Sequence, residues 1–126
     1  MELVFFGSGP VAASSLESLA QRFKVRFVVT KASAPRHKTT AQVELIANKY
    51  KLRLVFANTK SELDEILTHE GETYQLGVVV DYGVIISAQI IAKFGLGIIN
   101  SHFSILPEWR GADPISFSIL SGDRNN

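Results

Sequence analysis

Short apolar runs recur along the chain and predict five buried strands. The runs are rich in β-branched or aromatic residues and are separated by longer amphipathic segments. Runs of this length and composition are typical of strands that are buried on both faces. The predicted strands are Leu3–Phe6, Val25–Val29, Leu52–Phe56, Leu76–Val80 and Ile98–Ile99.

The segments between these runs place apolar residues three and four positions apart, which is the spacing of one helix face. Ser61 and Asp64 form a plausible capping pair at one helix start, and Ser87 precedes another helical segment. A last helix is predicted after the fifth strand. The predicted helices are Val11–Gln21, Thr40–Tyr50, Ser61–Thr68, Ser87–Phe94 and Pro114–Leu120.

Strands and helices therefore alternate along the whole chain. Short crossovers of this kind build a parallel sheet that is covered by helices on both faces. We expect an α/β fold, a Rossmann-like doubly wound sheet, in a single domain over residues 1–126. The polar ending "SGDRNN" follows the last predicted helix with no further strand. We therefore expect the domain to be incomplete at its C-terminal end and the sheet to be truncated before its last strands.

Composition narrows the classes of function. Apolar residues make up 46% of the chain and charged residues 20%, as in an ordinary globular protein. A net charge of +1 excludes a global basic field, so contact with nucleic acid would need a local patch. The absence of cysteine excludes disulfides and thiolate metal sites. No apolar run has the ~20 residues of a membrane helix, and we expect a cytoplasmic protein with no membrane contact.

The glycine turn "GSGPVA", Gly7 to Ala12, follows the first strand and opens a helix. It fits the G-x-G-x-x-G/A pattern of dinucleotide sites. Pro10 removes a backbone N–H from the helix start, and Thr30 and Lys31 stand where a nicotinamide site needs an acid. These two features count against a nicotinamide site. The alternatives to it are a tight turn that binds no ligand and a turn whose glycine backbone contacts a small ligand.

Asn100 and His102 follow the fifth predicted strand two positions apart, a spacing that places side chains on one side of a strand. The carboxyl ends of parallel strands are where open α/β sheets bind ligands. An amide donor beside an imidazole suits acyl transfer to nitrogen, in which a carbonyl oxygen gains negative charge and an amine loses a proton. The alternative for His102 is a structural hydrogen bond beneath a loop. No second histidine or carboxylate has ligand spacing to His102, so no metal is expected.

The stretch "INSHFSILPEWRGADPI" resembles the I-N-x-H-x-S-L-L-P-x-W-R-G-x-x-P-I signature of the formyltetrahydrofolate-dependent formyltransferases. The segments "FFGSGPVAASSLESL", "FVVTK" and "VVVDYGVIIS" are similar to other blocks of that family, so the resemblance covers nearly the whole chain. It implies that a formyl group moves from 10-formyltetrahydrofolate to an amine. The branch that it resembles most formylates methionine on initiator tRNA.

The resemblance also implies roles for individual residues. Asn100 would donate to the formyl oxygen, and His102 would stabilise the tetrahedral intermediate and move protons. Arg36, Lys38 and Arg110 are possible tRNA contacts, and Lys31 and His37 extend this basic cluster, although a solvated loop is the alternative. Residues of the folate pocket would be Gly7, Ser8, Gly9, Tyr82, Gly83, Ser104, Ile105, Leu106 and Pro107.

The chain departs from the family pattern in several places. The third catalytic residue, an aspartate, lies further beyond the histidine than this sequence extends, so we expect the chain alone to be close to inactive. Phe103 replaces a small residue, Asp81 replaces an alanine, and the segment Lys31–Gln42 is shorter than in the family. Two other functions stay open. One is transfer to an amino sugar nucleotide or glycinamide ribonucleotide, and the other is a silent folate-binding or interaction module. The oligomeric state is not predicted.

Overall fold

A computed structural model of the chain describes residues 1–32, 42–103 and 115–120. For residues 70, 102, 103 and 115–120 it describes the backbone alone. The expected site residues Arg36, Lys38, Arg110 and the segment Ser104–Pro107 lie outside the described residues.

Six strands and four helices form the described chain. The strands are β1 (Glu2–Gly7), β2 (Lys24–Thr30), β3 (Leu54–Phe56), β4 (Leu76–Val80), β5 (Ile98–Phe103) and β6 (Ile115–Leu120). The helices are α1 (Pro10–Arg22), α2 (Gln42–Lys49), α3 (Lys60–Glu70) and α4 (Ala88–Ile91). The five strands and first four helices predicted from periodicity are confirmed, with shifted ends.

The strands form one sheet in the order β3-β2-β1-β4-β5-β6. The pairs from β3 to β5 are parallel, and β6 pairs antiparallel with β5. The chain winds outward from β1 to β3 and returns to the other side of β1 with β4, so the switch point of the sheet lies between β1 and β4.

The predicted helix over Pro114–Leu120 is wrong, because residues 115–120 form β6. Ile115, Phe117 and Ile119 alternate with serines, and this period of two is typical of a strand. Pro114 itself lies outside the described residues.

Two apolar layers hold the helices against the sheet, one layer on each face. Residues alternate along β1, so that Leu3 and Phe5 belong to one layer and Val4 and Phe6 to the other. The first layer contains Leu16 from α1 and Val43 from α2, whereas the second contains Leu63 and Leu67 from α3 and Ile90 and Ile91 from α4. The sheet is therefore doubly wound, as predicted.

Helix α3 begins at Lys60, two residues earlier than a Ser61 cap requires, so the predicted capping pair is wrong. Thr59 is the N-cap, and its hydroxyl accepts a hydrogen bond from the Glu62 backbone N–H. The Glu62 carboxylate accepts from the backbone N–H of Asn58 at 2.7 Å, which fixes the chain before the helix. Ser87 caps α4 as expected, since its Oγ accepts from the Ile90 N–H at 3.3 Å.

Within the described ranges, no helix has the length and hydropathy to cross a membrane.

Candidate active site

A cleft of about 610 Å³ opens at the carboxyl ends of β4 and β5. It is lined by Val79, Asn100, Ser101 and the segment from Asp81 to Ile85. The cleft therefore lies beside the switch point, where sheets of this class bind ligands. Its walls combine apolar groups with an amide, a hydroxyl and a carboxylate.

Asn100 lies beside Val79 in the parallel register of β4 and β5. Its side chain is half-buried, whereas that of Ile98, two residues earlier in β5, is fully buried. The backbone of His102 continues β5 and pairs with Ser116 of β6. The side chain of His102 is outside the described part, so its position beside the Asn100 amide stays a prediction.

The segment Asp81–Gly83 turns sharply after β4. Asp81 has a φ of 50° and Gly83 a φ of 78°, both in the left-handed region. Gly83 adopts it freely, whereas for Asp81 it costs roughly 1 kcal/mol. A strained residue that lines a cleft is a reasonable starting point for a functional hypothesis.

Tyr82, between these two residues, points its ring into the core. The ring is only 1% exposed, and its centroid lies 6.0 Å from that of Phe6. The Tyr82 hydroxyl donates to the backbone carbonyl of Ala57 at 2.6 Å. Burial, and secondly the charge of Glu62, raise the pKa of Tyr82 well above its ordinary value. Tyr82 borders the cleft but is a neutral core anchor for the turn, and a ligand contact by Tyr82 stays a prediction.

The glycine turn Gly7–Gly9 at the end of β1 contributes no residue to the cleft lining but contacts the turn that does. The Ser8 Oγ donates to the Asp81 carbonyl at 3.1 Å, which joins this turn to the cleft. A Cβ atom on Gly7 would lie 2.6 Å from the Val80 carbonyl oxygen. Gly7 is therefore needed for close packing of β1 against β4, with or without a ligand.

Lys31 also reaches this region, from the end of β2. Its Nζ atom lies 3.4 Å from the point that a Cβ atom on Gly83 would occupy. The sequence placed Lys31 in a basic cluster but gave no signal that its ammonium lies beside Gly83. Asp81 was noted only as a departure from a family pattern, and Ser101, Val84 and Ile85 were not singled out.

No group of three or more histidine, aspartate or glutamate side chains is placed to hold a metal ion in the part of the chain that the structure describes. The polar side chains of the lining residues are the Asn100 amide, the Ser101 hydroxyl and the Asp81 carboxylate, in addition to the Tyr82 hydroxyl that is bonded to Ala57. These groups suit hydrogen bonding to a polar ligand.

Comparison with known proteins adds a family to this geometry. The sequence profile of the family described as "Formyl transferase" matches residues 1–126. The methionyl-tRNA formyltransferase of Leifsonia xyli subsp. xyli is 38% identical over 128 residues, which cover 98% of this chain and 42% of that protein. The methionyl-tRNA formyltransferase of Elusimicrobium minutum is 35% identical, with 98% and 38% covered. This chain thus spans about two-fifths of the length of these relatives.

A solved structure has the same architecture. The crystal structure of glycinamide ribonucleotide transformylase 1 from Geobacillus kaustophilus superposes with a TM-score of 0.62 at 21% identity. The match covers 90% of this chain and 63% of that one. At this identity the likeness supports the α/β, Rossmann-like fold alone.

Proposed function

Because the chain belongs to the formyl transferase family, we propose that the protein containing it transfers a formyl group from 10-formyltetrahydrofolate to the amino group of methionyl initiator tRNA. The observation that carries the proposal is the strand-end cleft lined by Asn100, in a chain that matches the family over its whole length. The names of relatives at 35–38% identity favour the tRNA acceptor. The similarity to these relatives also favours a cytoplasmic location for the protein.

In the proposed reaction, the acceptor nitrogen attacks the formyl carbon and the carbonyl oxygen becomes an oxyanion. The Asn100 amide donates a hydrogen bond to that oxygen, and this bond strengthens as the charge develops. The bond between the formyl carbon and N10 of the donor then breaks. The acceptor nitrogen loses one proton and N10 gains one, and His102 is the group assigned to move it.

The donor would lie along the turn from Asp81 to Ile85, with the glycine turn at its side. Backbone groups of a turn can bind a polar ring without the entropy cost of ordering long side chains. Ile85 is 72% exposed at this border and offers an apolar surface for a ring. The Tyr82 anchor and the Ser8 hydrogen bond hold the turn in place for this contact.

The first test replaces Asn100 by alanine in the complete protein that the gene encodes. We expect kcat to fall about 10²–10³-fold, equivalent to about 2.7–4 kcal/mol of transition-state stabilisation. The matched control is Asn48→Ala, because Asn48 is exposed on α2 and lies outside the cleft lining. Formyl transfer to methionyl initiator tRNA is measured with both variants. An unchanged kcat in Asn100→Ala would remove Asn100 from the mechanism.

The second test concerns His102. His102→Ala should reduce kcat much more than it weakens donor binding, because its proposed role begins when the acceptor attacks. Donor affinity is measured separately, by fluorescence titration without acceptor. Equal losses in kcat and in donor affinity would instead assign His102 to the building of the pocket.

A panel of acceptors separates this proposal from its alternatives. Transfer to an amino sugar nucleotide or to glycinamide ribonucleotide, with none to methionyl initiator tRNA, would keep the chemistry and change the substrate. Donor binding without transfer to any acceptor would favour the silent module. Residues 1–126 alone are expected to transfer little, and assaying them beside the complete protein checks this expectation.

A further inference from the structure

We propose that Lys31 binds an oxyanion of a substrate, a carboxylate or a phosphate, at the mouth of the cleft. This inference rests on the proposed function. It adds a residue that raises the affinity for substrates carrying an oxyanion at the right position. The ammonium group would recognise the charged end of a molecule whose reacting end lies against Asn100.

The position of Lys31 is set by the order of the strands. Lys31 follows β2, and its side chain passes the end of β1 to reach Gly83, which follows β4. Neighbouring strands lie roughly 4.8 Å apart, so this reach crosses two strand spacings. The ammonium therefore lies near the switch point rather than beside its own strand, against Gly83 of the cleft lining.

The surroundings leave the charge available. Gly83 lines the cleft and has no side chain that would separate it from the Lys31 ammonium. Among the described residues, no carboxylate forms an ion pair with Lys31. Asp81 lies two residues from Gly83, and within the described ranges it forms no ion pair with Lys31.

Both proposed substrates carry oxyanions. The folate donor ends in a glutamate with two carboxylates, and tRNA carries a phosphate at every nucleotide. A lysine is a compact, strongly hydrated charge that contacts either group without demanding a fixed bidentate geometry. A contact of this kind at a half-exposed site changes affinity by up to about fivefold and weakens as salt is added.

The experiment compares Lys31→Met and Lys31→Arg in the complete protein, with Lys24→Met as the matched control. Lys24 lies at the opposite end of β2 and forms an ion pair with Glu2 at 3.7 Å. We expect Lys31→Met to weaken the affinity for one substrate by up to about fivefold at low salt. Lys31→Arg should retain most of the affinity, and Lys24→Met should behave as wild type.

Two arms identify the source of the oxyanion. In the first, donor affinity is titrated with 10-formyltetrahydrofolate and with a donor whose two glutamate carboxylates are converted to amides. A loss on Lys31→Met that disappears with the amide donor assigns the contact to the donor. In the second, KM for methionyl initiator tRNA is measured from low to high salt. A raised KM with a shallower salt dependence assigns the contact to a phosphate.

The outcomes also separate this inference from the proposed function. Wild-type transfer together with unchanged affinities for both substrates in Lys31→Met would overturn the role of Lys31 alone. A wild-type protein that neither binds the donor nor transfers formyl would refute the proposed function and this role with it.

Discussion

Removal of the Tyr82 hydroxyl is the change whose effect on stability follows most directly from the structure. Tyr82→Phe removes one oxygen atom, leaves the buried ring in place and deletes the 2.6 Å hydrogen bond to the Ala57 carbonyl. That carbonyl would then lose its buried donor, and leaving a buried acceptor unsatisfied costs about 1–2 kcal/mol. Because the ring is retained, the apolar packing against Phe6 is unchanged. We therefore expect the complete protein to lose about 1–2 kcal/mol of stability.

Two measurements check this reasoning. Urea unfolding of the complete protein should show a lower midpoint for Tyr82→Phe than for wild type, with a similar slope. Hydrogen exchange should be faster in the turn from Tyr82 to Ile85, since the anchor holds this turn, while amides of α1 stay unchanged. A variant with wild-type stability and wild-type exchange would show that the hydroxyl does not hold the turn.

Tyr82 also predicts that the free energy of unfolding falls at alkaline pH. The folded protein raises the pKa of Tyr82 above its ordinary value of 10.0, because the buried hydroxyl cannot be charged without loss of solvation. The unfolded chain therefore releases this proton first as pH rises. The stabilising contribution is fully present below pH 10 and is lost progressively above it. In Tyr82→Phe, that part of the loss above about pH 10 should be missing from the unfolding free energy. An identical loss of stability in the two proteins would refute the assignment.

The remaining predictions compare a glycine that is required by close packing with one that is required by its backbone conformation, and they test a buried hydroxyl. Gly7→Ala should destabilise by about 1–3 kcal/mol and weaken donor binding, because its Cβ would lie 2.6 Å from the Val80 carbonyl oxygen. Gly71→Ala, with open space but a φ of 63°, should cost about 1–2 kcal/mol and leave donor titrations unchanged. Thr30→Val should raise the urea midpoint, since the fully buried Thr30 Oγ1 has no hydrogen-bond partner among the described residues; a lower midpoint would show that the hydroxyl is satisfied.

The parallel part of the sheet, β1 to β5, was predictable from the sequence because its strands are buried on both faces. Uninterrupted apolar runs such as Leu76–Val80 leave few other structures available. The prediction for residues 115–120 was wrong because apolar residues and serines alternate there over only five positions, 115–119. Over so short a run, the spacing of Ile115 and Ile119 also fits one face of a helix, and tertiary pairing with β5 decides for the strand.

The site was predictable only where it depends on strand order along the chain. Asn100 lies in β5 and the pair Tyr82–Gly83 follows β4, two consecutive strands that are neighbours in the sheet, and all three residues line one cleft. The direction of the Tyr82 ring was not predictable, because a turn gives no periodicity that tells a buried side chain from an exposed one. The reach of Lys31 depends on β1 lying between β2 and β4, a fact of topology rather than of local sequence.

Two hydrogen bonds from the ends of other strands hold the turn after β4, and a side chain from a third strand end lies against it. Ser8 after β1 donates to the Asp81 carbonyl, Ala57 after β3 accepts from the Tyr82 hydroxyl, and Lys31 after β2 lies over Gly83. A ligand that binds along this turn therefore meets a surface that is ordered before it arrives, and the ordering cost is met by folding rather than by binding. It follows that changes at Ala57 or Ser8 act on a ligand through the position of this turn, even where neither side chain touches it.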